Sequence, residues 1–487
     1  MLFAIKTFAT ALLVGVVPSL ARQQTFRNET DAFQPFGDTL NLPDSLFVTV
    51  GHPLFPHYGL RIKRSTDFCD STVTSYTGYI DIEARHLFFY FFESRSDPDS
   101  DDVIYWTNGG PGSSALGLFM ELGPCRTTEN GTVFHPESWN NNANLLIVDQ
   151  PIGVGFSYAD HGETVSSSEE AAKDIAALLA IFFENFTKYK GRALHMAGES
   201  YAGRYIPLFA AEVYDQNTKL VAAGLTPINL QSIMLGNGRT DMYTMLLSYY
   251  NMACTTATAT PVVDIASCIR MKQVLPRCKK ALKESCVDIF DAIACRAASW
   301  FCGGEFIWPY FKSGRNPYDV SKMCEGEYMK TLCYPDMINV SKYLDRPEIR
   351  LKLGVDPSIT RNFSSAEDFD VIQAFLENMD EWRPAQYHVA ALLERGIRVL
   401  VYVGKNDFAC NHVGNKAWID ELEWSGRDDF ARQPTHEWLV DGKAAGVTKG
   451  AHGLTFTIID GAGHMAPYDK PKECLDMLNH WITETPL

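Results

Sequence analysis

No apolar run in this chain of 487 residues is long enough to cross a bilayer. The end of the chain, Thr483-Glu484-Thr485-Pro486-Leu487, lacks the pattern of a lipid-anchor tail. Both absences argue against a membrane anchor. Positive charge is also in short supply: 43 Lys and Arg stand against 59 Asp and Glu, a net charge of -16. Such a chain repels a phosphate backbone, which excludes nucleic acid as a natural partner. Paired CxxC motifs with accompanying histidine ligands are missing, so no metal is expected. The glycine-rich loop at 106–114 has neither the lysine nor the spacing of a Walker motif, which excludes a phosphate loop. No cofactor is implied. There is no internal repeat and no low-complexity segment.

What is present belongs to an oxidising compartment. Lys6 precedes an apolar run at 8–17, and the small residues Ser19 and Ala21 follow it, which reads as a signal peptide over 1–21. Five Asn-X-Ser/Thr sequons, at Asn28, Asn130, Asn185, Asn339 and Asn362, support a secretory route ending in secretion or a vacuole- or lysosome-like compartment. Twelve cysteines fit the same setting, and eight crowd together: Cys254, Cys268, Cys278, Cys286, Cys295, Cys302, Cys324 and Cys333. That density predicts a small disulfide-stapled region. Cys69, Cys125, Cys410 and Cys474 lie outside it.

Hydrophobic content of 46% suffices for a large core. Residues 22–65 read as a polar, turn-rich N-terminal segment that includes a candidate propeptide, with Lys63-Arg64 as a possible processing site. From residue 76 the pattern turns strand-like. A hairpin is expected over 79–91 and further strands over 103–106, 145–149, 193–197, 233–237, 398–404 and 456–459. Helices are expected over 168–188, from residue 201 to 211, and over 471–481. Strands alternating with helices imply an α/β fold with a mostly parallel central sheet. Its two parts would cover 66–238 and 341–487, with a disulfide-rich insertion or cap at 239–340.

Chemistry concentrates at Gly198-Glu199-Ser200-Tyr201-Ala202-Gly203. A serine at a sharp strand-to-helix corner is the nucleophile elbow of the α/β-hydrolase plan, and the helix start beneath it offers N–H groups to an oxyanion. Ala202 stands where that pattern usually has glycine. The plan also orders the partners: an acid and then a histidine, each on a loop after a late strand. Asp407 follows the strand at 398–404 and His464 follows the one at 456–459. Asp460 and Asp380 compete for the acid role. Asp460 lies too near His464 in the chain, and Asp380 precedes the strand. The loop Asn108-Gly109-Gly110-Pro111-Gly112 ends an early strand, and Gly110 and Tyr201 would donate the oxyanion-hole N–H groups.

Together, Asn108-Gly109-Gly110-Pro111-Gly112, the elbow, Asp407-Phe408-Ala409-Cys410-Asn411 and Gly463-His464-Met465 resemble the serine carboxypeptidases of the carboxypeptidase Y type. The resemblance runs from about residue 76 to the C-terminal helix. It implies Ser200, Asp407 and His464 as the triad. It also implies that Asn108, Glu121, Glu199 and the Gly109 backbone bind a substrate's terminal carboxylate, with Cys410 and Met465 lining the pocket. Cysteine pairs 254–268, 278–302, 286–295 and 324–333 follow from the same likeness. The chain departs from that pattern at Ser113, where carboxypeptidase Y has cysteine, and Cys69 with Cys125 stands as a substitute bridge.

The expected activity is release of C-terminal amino acids from peptides and proteins through an acyl-enzyme, in an acidic working range. An acyltransferase or an esterase on the same scaffold is the alternative. A binding protein with a silent site is a third reading, which a serine-reactive phosphonate would test. Oligomeric state is not legible.

Overall fold

A computed structural model describes residues 48–487 except 53–54, 161, 258–260 and 367. The signal peptide at 1–21, most of the N-terminal segment and the sequon at Asn28 lie outside the described residues.

One mixed sheet of 13 strands organises the chain. In spatial order it runs Val48–His52, Phe55–Arg64, Ser75–Ile82, Arg85–Phe92, Asn144–Val148, Val103–Thr107, Ala193–Glu199, Asn229–Gly236, Arg398–Gly404, Leu454–Ile459, Lys443–Ala451 and His436–Val440, with Tyr158–Ala159 pairing on Arg85–Phe92. The six strands from Asn144–Val148 to Leu454–Ile459 are parallel to their neighbours within that group. Antiparallel strands extend both flanks. The parallel strands are buried on both faces, which explains their nearly continuous apolar runs. Alternation assigns the faces. Leu194, Met196, Ile233, Leu235, Val399, Val401 and Val403 join one core cluster, while Ala197, Met234, Leu400 and Tyr402 join another.

The first cluster is covered by the helices Ser168–Asn185 and Ala202–Ala222. The earlier helix starts where the serine run predicted. Ser167 caps it by accepting from the Glu170 amide, and the Glu170 carboxylate accepts from the Ser166 amide at 2.8 Å. The helix Pro471–Ile482 contributes Met477 and Leu478 to the opposite cluster.

Between the strands Asn229–Gly236 and Arg398–Gly404 lies the disulfide-rich insertion. Its helices Met242–Cys254, Ile265–Leu282 and Ala292–Phe306 surround a third cluster that contains Cys278, Cys286, Cys295 and Cys302. All four expected bridges are present: Cys254–Cys268, Cys278–Cys302, Cys286–Cys295 and Cys324–Cys333. Cys69 pairs with Cys125, and Cys410 and Cys474 are free and buried.

Two expectations need correction. Residues 55–64 are not a loose, turn-rich segment. They form a strand that pairs with Ser75–Ile82 through seven positions, and Leu60 and Ile62 are buried in the core. Lys63-Arg64 therefore forms the last two positions of a hydrogen-bonded strand, pairing with Thr77 and Tyr76. Asn185 is also unsuited to a glycan. It is 1% exposed, and its side-chain amide donates to the Ile181 carbonyl, leaving no room for a sugar. Asn130 and Asn362 are exposed and Asn339 is half-buried.

Candidate active site

Ser200 sits immediately after the strand Ala193–Glu199 and just before the helix Ala202–Ala222. Its φ is 65°, in the left-handed region that non-glycine residues rarely adopt. The turn is held by its backbone: the Ser200 amide donates to Gly236 O, and Ser200 O accepts from the Gly203 and Arg239 amides. Close packing explains the small residues. A Cβ on Gly198 would lie 2.5 Å from the Ala202 methyl, so neither position tolerates growth.

His464 and Asp407 meet as expected. His464 Nδ1 lies 2.6 Å from Asp407 Oδ2, so the ring donates from Nδ1 and leaves Nε2 to work as a base. Asp407 is fully buried, and it accepts further bonds from the Ala409 and Cys410 amides and from Asn237 Nδ2 at 2.8 Å. Asn237 escaped the sequence reading. It follows the strand Asn229–Gly236, has a φ of 42°, and its Oδ1 also accepts from the Gly404 amide. Asparagine tolerates that backbone better than most residues, but nothing in the linear sequence ties it to Asp407, 170 positions away.

The insertion contributes as well. Tyr318 O accepts from the His464 amide at 2.7 Å, and Pro317 O accepts from the Phe408 and Ala409 amides. Two loops from separate strands are thus set by one short segment of the insertion. Asp460 pairs with Lys405 away from the imidazole, and Asp380 is held by Arg204. Neither competitor reaches His464.

Ser200 and His464 line one cavity together with Asn108, Gly109, Gly110, Glu199 and Met465. No hydrogen bond joins the Ser200 and His464 side chains among the described residues. The Ser200 hydroxyl instead interacts with the Cys410 thiol. Burial pushes that thiol up to about 12, so it stays neutral. The Asn108–Gly112 loop presses against the elbow: a Cβ on Gly109 would lie 2.4 Å from Tyr201 N and 2.9 Å from Ser200 Cβ. Only glycine allows the loop to approach the elbow this closely. A second cavity also borders Ser200 and includes Tyr201, Arg239 and Cys410.

Glu121 and Glu199 are both almost fully buried and in contact with each other. Asn108 joins them, with its Nδ2 at 3.4 Å from Glu121 Oε1 and its Oδ1 accepting from the Gly117 amide. Glu121 stands behind the cavity wall and Glu199 is part of that wall. Burial raises the pKa of both carboxyls, and mutual repulsion raises Glu199 further. One oxygen on each, Oε2, has no hydrogen-bond partner. Two adjacent buried acids with spare oxygens can hold protons and donate them to a third carboxylate.

The serine carboxypeptidase family profile matches residues 67–484, most of the chain. This chain belongs to the serine carboxypeptidase family. Carboxypeptidase Y of Candida albicans is 42% identical to it over 433 residues, spanning 88% of this chain and 77% of that protein. Carboxypeptidase Y homolog A of Paracoccidioides brasiliensis is 43% identical over 437 residues, spanning 88% and 76%. Among solved structures, the prohormone-processing carboxypeptidase Kex1Δp of Saccharomyces cerevisiae shares the fold, with a TM-score of 0.73, 24% identity, and coverage of 86% of this chain and 93% of that one. The serine carboxypeptidase described here is therefore a hydrolase, and these relatives do not favour the acyltransferase or esterase alternative. Among the described residues no helix is long and apolar enough to cross a membrane.

Proposed function

We propose that Ser200, His464 and Asp407 release the C-terminal residue of peptides and proteins through an acyl-enzyme. Ser200 Oγ attacks the last peptide carbonyl while His464 Nε2 takes its proton. Asp407 holds the ring and stabilises its charged form. The Gly110 and Tyr201 amides receive the oxyanion, each contributing about 3 kcal/mol. His464 then protonates the leaving amine, the free amino acid departs, and water, activated by the same imidazole, releases the acyl group.

Selection of the chain end falls to Glu121, Glu199, Asn108 and the Gly109 backbone, with Met465 beside the leaving residue. The single observation that carries the reading is the buried Glu121–Glu199 pair, of which Glu199 lines the same cavity as Ser200 and His464 and Glu121 stands directly behind it. Ionised, the pair would repel a substrate carboxylate. Protonated, it donates to one, which implies an acidic working range. The secretory setting, ending in secretion or an acidic compartment, agrees with five disulfides.

The test compares KM against pH for a blocked dipeptide and for its C-terminal amide. KM should rise with pH for the acid and stay nearly flat for the amide. Parallel curves would remove the carboxylate clamp from the mechanism.

A further inference from the structure

The second cavity contains one cation and one anion among the described residues that line it, Arg239 and Glu381. Arg239 follows directly on Asn237-Gly238, and its amide is tied to Ser200 O at 2.8 Å, so the guanidinium is anchored to the elbow itself. Its Nη1 reaches Glu381 Oε2 at a long 3.2 Å. Its Nε is buried with no oxygen or nitrogen acceptor, and the guanidinium also interacts with the Cys410 thiol. The rest of the wall includes Ile372, Phe375, Leu376 and Cys410.

The inference rests on the carboxypeptidase reading above. If the leaving residue occupies the cavity beside Glu199 and Met465, the second cavity, which also borders Ser200 and is lined by Arg239, is left for the penultimate side chain. We propose that Arg239 is a specificity-determining residue that selects substrates with an acidic penultimate side chain. A carboxylate that enters the cavity can meet the part of the guanidinium that lines it while Nη1 keeps Glu381, and the planar fork suits a charge-assisted contact. Glu381 balances the charge when the pocket holds an apolar side chain and opposes an acidic one. The site thus favours acids over their amide isosteres by geometry, and Glu381 restrains the size of that preference.

The experiment measures kcat/KM for N-blocked dipeptides with a common C-terminal Phe and Glu, Gln, Leu or Lys before it, at about pH 6, where the Glu side chain is ionised. Active serine is counted with a phosphonate. The wild-type enzyme should prefer Glu to Gln. Arg239→Leu should cut the Glu/Gln ratio by about tenfold, the value of one charge-assisted hydrogen bond, and Glu381→Gln should raise it. If Arg239→Leu fails to fold, the wild-type ratio and the Glu381→Gln shift decide. A Glu/Gln ratio unchanged in both variants overturns the proposal. So does a wild-type preference for Lys that Glu381→Gln removes. Failure to release Phe from every peptide, Leu included, would instead overturn the carboxypeptidase reading on which the inference stands.

Discussion

Ser200 keeps its left-handed backbone at a cost of about 1–3 kcal/mol, sustained by the hydrogen bonds from Gly203 and Arg239 to its carbonyl. That geometry serves only to present the hydroxyl. Ser200→Ala should leave folding intact and lower kcat on a blocked dipeptide by on the order of a millionfold; retained turnover in pure protein would refute the assignment. Asn237 acts one step back, through Asp407. Asn237→Ala should lower kcat by about 10- to 100-fold with a smaller change in KM, because the carboxylate loses a donor that fixes it. A KM effect alone would place Asn237 in substrate binding instead. In the proposed mechanism the glutamate pair sets the pH response. Both carboxyls have raised pKa values, so folding favours their protonated forms. Their contribution is greatest below the ordinary carboxyl value and falls as pH rises through the raised values. Glu199→Gln keeps a donor without the titration, and KM for acid substrates should then vary less with pH. Ser200, Asp407 and His464 were legible because a strand-loop grammar places them. Asn237 was not, because its role depends on a contact between two strands distant in the chain.

Helix Ala202–Ala222 is fixed to its surroundings by Arg204. The guanidinium donates from Nε to Asp380 Oδ2 at 2.8 Å and from Nη2 to Glu169, while Asp380 also accepts from Ser168 Oγ and from the Tyr201 hydroxyl, both at 2.6 Å. Asp380, considered in the sequence as a catalytic acid, is a structural one that ties the elbow to the start of the neighbouring helix. Arg204 lowers its pKa against the opposing effect of burial. A depressed carboxyl stabilises above its unfolded value and loses that contribution only as pH falls through the folded value, so an acidic working range leaves it intact. Arg204→Met strands a buried charge and should cost about 3–5 kcal/mol, read as a drop in Tm. A shift within error would mean that Ser168 and Tyr201 alone satisfy the carboxylate. Sequence periodicity located this helix and most of the parallel strands, since their apolar runs are long. It missed Phe55–Arg64, His436–Val440 and Lys443–Ala451, flanking antiparallel strands whose mixed polar patterns lack a continuous apolar signal.

At the level of the whole molecule, the insertion is both cap and brace. Its backbone at Pro317 and Tyr318 holds the loops of Asp407 and His464, and its helices enclose a cysteine-lined core of their own. Four of the five bridges lie within it. Closing the Cys278–Cys302 loop, a separation of 24 residues, is worth about 3 kcal/mol. Replacing both cysteines by alanine should raise hydrogen exchange across the helices Ile265–Leu282 and Ala292–Phe306 before it affects the strands, with a loss of activity that follows the loosening. Exchange that rises first in the parallel strands would contradict this order.

The sequence alone determined the α/β plan, the chain order of the serine, aspartate and histidine proposed here as nucleophile, acid and base, and the stapled insertion. These are local properties: periodicity, turn chemistry and cysteine density act over a few residues. Tertiary structure decided which carbonyls brace the loops of Asp407 and His464, that Asn237 donates to Asp407, that two glutamates share a buried space, and that Arg239 lines the second cavity. Those depend on burial and on distances between residues far apart in the chain, and only the folded backbone specifies either.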